Sequence, residues 1–294
     1  MRTTATRSII TAVVTAVVLA LAATGEAKPP KTSPASSEKA TTAKPAMPPA
    51  VDPRAIDALK RMGAYLREQQ RFTIRTKSET DYVLDTGQKA TLSAKGELRV
   101  QRPDKMHAQL TSDRKQREFF SDGTTFTIFS PNLRVYATIP ASGTLREVAD
   151  MLVTKYGVQL PLVDLFRWGT SESDFDLITN ASYVGTAKID GVDVDHYALR
   201  QPGVDWQIWI EQGAHPLPRK LLLTTTDDPA RPEHELELAW DLDAKHPDAE
   251  FTFKPPKDSS KIAMVDLETM RAQQEQQARG QARRTTRPNR GGSK

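Results

Sequence analysis

The sequence predicts a mainly β protein with helices, of the α+β class. One strongly curved antiparallel sheet, or incomplete β-barrel, carries an N-terminal helix and a central helical lid. Three observations predict it. Apolar and polar residues alternate with a period of two in two long blocks of the chain. A helical interlude separates the blocks, and the connections within each block are short, as in meanders. Either block alone would leave an apolar sheet face bare, so both are expected in one curved sheet with the helices across its concave side. Two independent sandwiches would also use the strands, but would leave the helical insert without a role.

The first residues read as an address. Arg2 and Arg7 precede an apolar run from Ile9 to Ala23, which closes on Gly25-Glu26-Ala27. A basic start, a short apolar run and a small-x-small exit match a secretory signal peptide over residues 1–27, cleaved after Ala27. The alternative is an uncleaved signal anchor, although the run is short for a bilayer span. Residues 28–50 hold six prolines and no aromatic residue, and are expected to be a disordered tether.

The folded domain is expected over residues 51–262. Asp52 is placed as N-cap and Pro53 as first helical residue, with Ile56, Leu59, Met62 and Leu66 at helical spacing through about Gln69. Strands follow around Phe72–Leu84, Leu98–Val100, Met106–Leu110, Glu118–Phe120, Phe126–Ile128 and Leu133–Ile139, with turns at Asp85-Thr86-Gly87 and Asp122-Gly123. Thr144 and Glu147 have capping-box spacing for a helix with Leu145, Val148 and Leu152 on one face and Gly157 as C-cap. Pro161 is expected to open a second short helix containing Leu162, Leu165 and Phe166. The two-residue period then returns: Tyr183–Ile189, a turn at Asp190-Gly191, Val192–Arg200, Trp206–Ile210, Arg219–Thr226 and Leu236–Trp240, with Phe251 and Phe253 as a short added edge. Residues 263–294 read as a polar helix, apolar only at Leu267 and Met270, running into a disordered basic tail.

Composition excludes several functions. The 294 residues contain no cysteine, so there is no disulfide framework, thiolate zinc site, cysteine nucleophile or lipidated cysteine. Residues 1–27, 28–50 and 271–294 carry net +1, +3 and +6, which leaves residues 51–270 at −6 in a chain of net +4. A basic nucleic-acid groove in the body is therefore not expected, whereas the basic tail is expected to be drawn weakly to an anionic membrane surface.

Polar clusters have ordinary explanations. Asp190, Asp193, Asp195 and His196 invite a metal, but Asp190 serves a turn and His196 points to the face opposite Asp193 and Asp195. Asp174, Asp176, Glu211, Glu235 and Glu237 lack any acid–base spacing, and Ser112, Ser130, Ser142 and Ser182 lie in no nucleophile motif. Trp206 and Trp209 fall on opposite faces of one strand. Trp206, Ile208, Ile210, Leu236, Leu238 and Trp240 are either core or the wall of an apolar cavity under the helices, two readings that are identical in sequence.

Several blocks resemble a bacterial family, domain of unknown function 2092. They are Asp81-Tyr82-Val83-Leu84-Asp85-Thr86-Gly87-Gln88, Arg102-Pro103-Asp104-Lys105-Met106, Phe120-Ser121-Asp122-Gly123-Thr124-Thr125-Phe126-Thr127, Leu160-Pro161-Leu162-Val163-Asp164-Leu165-Phe166, Asp205-Trp206-Gln207-Ile208-Trp209-Ile210-Glu211 and Pro216-Leu217-Pro218-Arg219-Lys220-Leu221. The resemblance spans about Pro53 to Trp240. It implies a periplasmic protein similar in fold to the LolA/LolB lipoprotein carriers, incomplete barrels lidded by helices that carry acyl chains. No lid-locking residue of those carriers maps onto this chain.

The expectation is a periplasmic, non-enzymatic carrier or binder of a hydrophobic ligand, a lipid or the acyl chain of a lipoprotein, without cofactor or metal. Partners are a lipid or acylated protein and no nucleic acid. Ligand-facing candidates are Phe126, Ile128 and Val135 of the first block and Leu145, Val148, Leu152, Leu162 and Phe166 of the lid. Trp206, Ile208, Ile210, Leu236, Leu238 and Trp240 complete them from the second block. The alternatives are an envelope sensor or scaffold binding a protein partner, and a hydrolase.

Overall fold

The computed structural model describes residues 51–160, 162 and 175–285, with side chains as far as residue 276. The segments expected as signal peptide and tether, the rest of the expected second lid helix, and the last nine residues lie outside the described residues. Leu162, expected in that helix, instead lies in a turn with φ of 56°, outside the helical range.

Helix α1 (Pro53–Glu68) begins as its sequence dictates. The Asp52 carboxylate accepts from Arg54 N–H at 2.9 Å, and Pro53, which has no N–H to lose, occupies the first turn. Ala55, Ala58, Leu59, Met62 and Leu66 form its buried stripe. The helix is tied at both ends. Asp52 N–H donates to Ala181 O (2.9 Å), and beyond the C-terminus Arg102 N–H and Nε–H donate to Gln70 O (2.8 Å) and Gln69 O (3.0 Å).

All strands belong to one sheet. The first block gives β1 (Arg71–Val83), β2 (Lys89–Gln101), β3 (Lys105–Ser112), β4 (Gln116–Asp122), β5 (Thr125–Ser130) and β6 (Val135–Pro140). The second gives β7 (Asn180–Ile189), β8 (Val192–Gln201), β9 (Val204–Glu211), β10 (Pro218–Thr225) and β11 (Glu233–Asp241). The spatial order is β12-β6-β5-β4-β3-β2-β1-β11-β10-β9-β8-β7, where β12 (Ser260–Lys261) runs parallel to β6. The two meanders join at the centre, where Thr73–Thr80 pairs antiparallel with Asp241–His234. Turn chemistry agrees with sequence: Asp190 and Gly191 have φ of 48° and 82°, the left-handed pair of a tight hairpin. At the β4–β5 turn the Asp122 carboxylate accepts from Thr124 N–H (2.9 Å) and Thr125 N–H (2.8 Å).

Helix α2 (Leu145–Met151) has its capping box: Thr144 N–H donates to Glu147 Oε2 (2.7 Å) and Glu147 N–H to Thr144 Oγ1 (3.3 Å). Leu145 N–H donates to Pro103 O (2.8 Å), which seats the helix on the β2–β3 turn. Leu145, Val148, Ala149 and Leu152 are buried. A π turn (Leu152–Tyr156) then ends on Gly157 at φ 67°.

Inward residues of the strands share one core with α1 and α2. The outer face of β3–β6 has a separate cover, and here one expectation is corrected. Phe251 and Phe253 form no strand; they follow a single 3-10 turn (Asp248–Glu250) in a strap lying on that outer face. Phe253 sits among the rings of Phe120, Phe129 and Tyr136, with centroids 5.2, 5.4 and 5.0 Å away. Phe251 is fully buried. These outward aromatic residues need covering, and Pro247, Pro255 and Pro256 deprive the strap of ladder donors. The real edge strand is β12. After it, α3 (Leu267–Thr285) starts against the lid, where Leu267 packs on Gly157.

Candidate functional site

The concave face is not uniform. Near the start of β1, Phe72 faces Val100 and Ile74 faces Leu98, all four at most 2% exposed. The C-terminal end of α1 and the start of α2 are tied to this end of the strands, through Gln69, Gln70 and Pro103, whereas α1 begins at Ala181 of β7, in the row of Leu199 and Trp206. Farther along, toward the β1–β2 turn, the inward residues become small. Thr76 faces Gly96 and Ser78 faces Ala94, and all four are half-buried. Leu236 and Leu238 of β11 flank them on one side and Leu110 of β3 on the other. The result is a trough with a floor of small residues and leucine walls. At Gly96 an added Cβ would lie 2.6 Å from Thr76 Oγ1 and 3.3 Å from Gln109 O, so the missing side chain lets Thr76 lie across β2.

The structure brings most of the candidates together. Phe126, Leu145, Val148, Leu152, Trp206, Ile208, Ile210, Leu236 and Leu238 are buried in the one core; Ile128, Leu162 and Trp240 pack against it half-buried. Val135 stands apart, half-buried at the first position of β6. Phe166 is outside the described residues. Sequence reasoning missed Thr76, Ser78, Ala94 and Gly96, because small inward residues do not register as an apolar stripe, and it placed Leu110 in a strand without assigning it to the site. It also missed Tyr197, Leu221, Leu223 and His234, all inward and buried.

The two inward tryptophans differ. Trp240 Nε1–H donates to Pro218 O at 2.8 Å. Trp206 is 5% exposed, and among the described residues its Nε1–H meets no acceptor.

His234 is an inward titratable group with a depressed pKa. Its Nδ1 is 2.7 Å from Thr80 Oγ1, and burial pushes its pKa down to about 4. An unfolded histidine titrates near ~6.5, so protons bind the unfolded chain first as pH falls. Stability is therefore full above about pH 6.5 and declines by about 3 kcal/mol on the way to about pH 4. The fall in urea midpoint between about pH 7 and about pH 4.5 is expected to shrink in His234→Gln. An unchanged fall would assign the acid sensitivity to other groups.

Beside the trough half of the sheet, α1 meets β7 and β8 in a cleft of about 380 Å³ lined by Arg54, Asp57, Arg61, Tyr183, Asp195 and Tyr197. The Arg54 guanidinium lies 4.7 Å over the Tyr183 ring. Tyr183 OH donates to Asp195 Oδ1 (3.2 Å), as does Gln212 Nε2 (2.8 Å). Tyr197, only 3% exposed, separates this cleft from the core, and burial pushes its phenol up to about 12.

Residues weighed as metal ligands or acid–base groups are dispersed. Asp193 pairs with Lys188 at 2.7 Å. His196 stacks on Trp209 at 4.0 Å on the outer face and contacts Gln207 at 2.9 Å, while Trp206 faces inward, as the alternation predicts. Among the described residues no group of three or more His, Cys, Asp or Glu could hold a metal. Glu211 pairs with Arg219 and Glu235 with Lys220, each at 2.6 Å. Ser112 Oγ accepts from Arg114 and Lys115 N–H in a turn, and Ser130 Oγ accepts from Arg117 at 2.7 Å.

One open sheet curved about helices on its concave side makes this protein an open half-barrel of the α+β class. The chain belongs to the family described as predicted periplasmic protein, domain of unknown function 2092, whose model matches residues 55–265, and it is a periplasmic protein. No curated protein matches it. Among solved structures it is similar to the lipoprotein LppX of Mycobacterium tuberculosis, at 14% identity over 64% of this chain and 94% of that one, with a TM-score of 0.41. LprF of Mycobacterium bovis is 11% identical over 71% and 99%, with a TM-score of 0.39. A LolA superfamily protein of Nitrosomonas europaea is 11% identical over 68% and 97%, with a TM-score of 0.29. These likenesses concern the fold and carry nothing about a ligand. No helix among the described residues is long and apolar enough to cross a membrane.

Proposed function

We propose that the protein is a non-enzymatic binder or carrier of an apolar ligand, a lipid or the acyl chain of a lipoprotein, held between the curved sheet and the helices. The observation that carries this reading is the trough. A protein interior is normally packed to crystal-like density, and a row of half-buried Thr, Ser, Ala and Gly between leucines puts less side-chain volume on this stretch of the concave face than Phe72, Ile74, Leu98 and Val100 put at the other end, which is the space we assign to a chain of methylenes. Each methylene taken out of water contributes about 0.8 kcal/mol, so a medium acyl chain reaches micromolar affinity after the losses of association. Phe126, Ile128, Leu236, Leu238, Trp206 and Trp240 are the contacts expected from the sheet, and Leu145, Val148, Leu152, Leu162 and Phe166 those from the lid. Residues 1–27 serve export, 28–50 a tether, and the basic end of the chain weak attraction to anionic lipid.

Mass spectrometry of organic extracts from protein purified out of the periplasm tests this reading. Stoichiometric acyl lipid is the expected finding. A fluorescent fatty acid should also bind at micromolar concentration and alter tryptophan emission. An extract free of lipid, together with failure of fatty acid, phospholipid and lipopeptide to bind, would overturn it.

A further inference from the structure

We propose that the Trp206 indole N–H is the polar anchor of the site and donates to a neutral acyl carbonyl oxygen, so that the ligand is an acyl ester or amide rather than a hydrocarbon. This rests on the binding reading above and narrows its ligand class. Trp206 and Trp240 both point to the concave interior, from β9 and β11. The fold satisfies Trp240 through Pro218 O at 2.8 Å and leaves the 95% buried Trp206 without an acceptor among the described residues. The residues directly across from Trp206 are Leu199 on β8 and Leu223 on β10, which offer none, and the buried Oε1 of Gln201, two residues along β8 on the same face, does not accept from it. Main-chain carbonyls of the sheet are engaged along the ladder and do not point inward. The next residue in the row, His234, already has Nδ1 against Thr80 Oγ1. A buried donor left unpaired is unfavourable, so an occupant carrying an acceptor there is preferred over one without. The strand residues of this row include no cation, and of the α1 cations beside Tyr183 and Tyr197, Arg54 is paired with Asp52 and Arg61 lies in the cleft beyond the buried Tyr197. A phosphate or carboxylate at Trp206 would therefore be poorly compensated, and the neutral carbonyl is favoured.

The test compares methyl laurate, lauric acid at neutral pH and tetradecane as competitors of bound N-phenylnaphthylamine, an apolar fluorophore without a carbonyl. The wild-type protein is expected to prefer methyl laurate over tetradecane by about tenfold, with laurate weaker than the ester. Trp206→Phe should erase the preference by weakening the ester alone, while Trp240→Phe should keep it. On the wild-type protein itself, the Trp206 indole N–H resonance should move downfield with methyl laurate and not with tetradecane, a readout that holds if the variant fails to fold. Equal affinity for ester and hydrocarbon in the wild type, or an unmoved resonance with the ester bound, overturns the anchor and leaves apolar binding standing. Binding of none of the four compounds overturns both.

Discussion

Phe251→Ala is expected to destabilise the protein by about 3–5 kcal/mol, although Phe251 is not part of the core on the concave face. The ring is fully buried in the strap, edge-on to His246 at 5.8 Å. His246 in turn lies 3.3 Å from both Thr73 Oγ1 and Phe72 O of β1 and 3.4 Å from Glu250. Deleting the ring leaves a cavity, and the contacts that pin His246 and Glu250 beside it limit how far the strap can settle into it. Urea unfolding measures the loss. Leu133→Ala, at a residue 67% exposed, serves as the comparison and should stay within about 0.5 kcal/mol. A loss below about 1 kcal/mol for Phe251→Ala would mean that the strap is only loosely attached.

Ala94→Phe and Ser78→Phe are expected to weaken acyl-chain binding by about a hundredfold while the protein stays folded. Both positions are on the floor of the trough, and both are half-buried, so a ring can be accommodated by occupying ligand volume rather than by overpacking a closed core. Excluding three or four methylenes at about 0.8 kcal/mol each gives that factor. Fluorescent fatty-acid titration beside a circular-dichroism melt separates the two effects. Full binding by both variants would move the ligand elsewhere on the fold.

Local elements were legible because local chemistry sets them. Asp52-Pro53 starts a helix, Thr144 and Glu147 cap one, and Asp190-Gly191 closes a hairpin wherever they occur in suitable context. The alternation Leu236, Leu238, Trp240 placed those residues inward without any knowledge of what they face. Three features were not legible. The pairing of β1 with β11 joins residues 154 apart at Thr80 and His234, and no local signal specifies a partner at that distance. Phe251 and Phe253 alternate as strand residues do, and only the aromatic outer face of β4–β6 reveals them as a cover. The trough is built from Thr76, Ser78, Ala94 and Gly96, and an inward position filled by a small residue reads in sequence as a weak strand rather than as space.

The pairing at the sheet centre also fixes the order in which the molecule can be completed. A chain emerging N-terminus first presents β1 through β6 long before Glu233–Asp241 exists outside the membrane. During that interval β1, thirteen residues long, is an edge with a free row of donors and acceptors. Contacts of such high sequence separation form slowly, since loop closure must precede them. The half-built sheet is therefore a substrate for chaperones and proteases until the last long strand arrives, and truncation anywhere before residue 241 should yield degradation rather than a smaller stable protein.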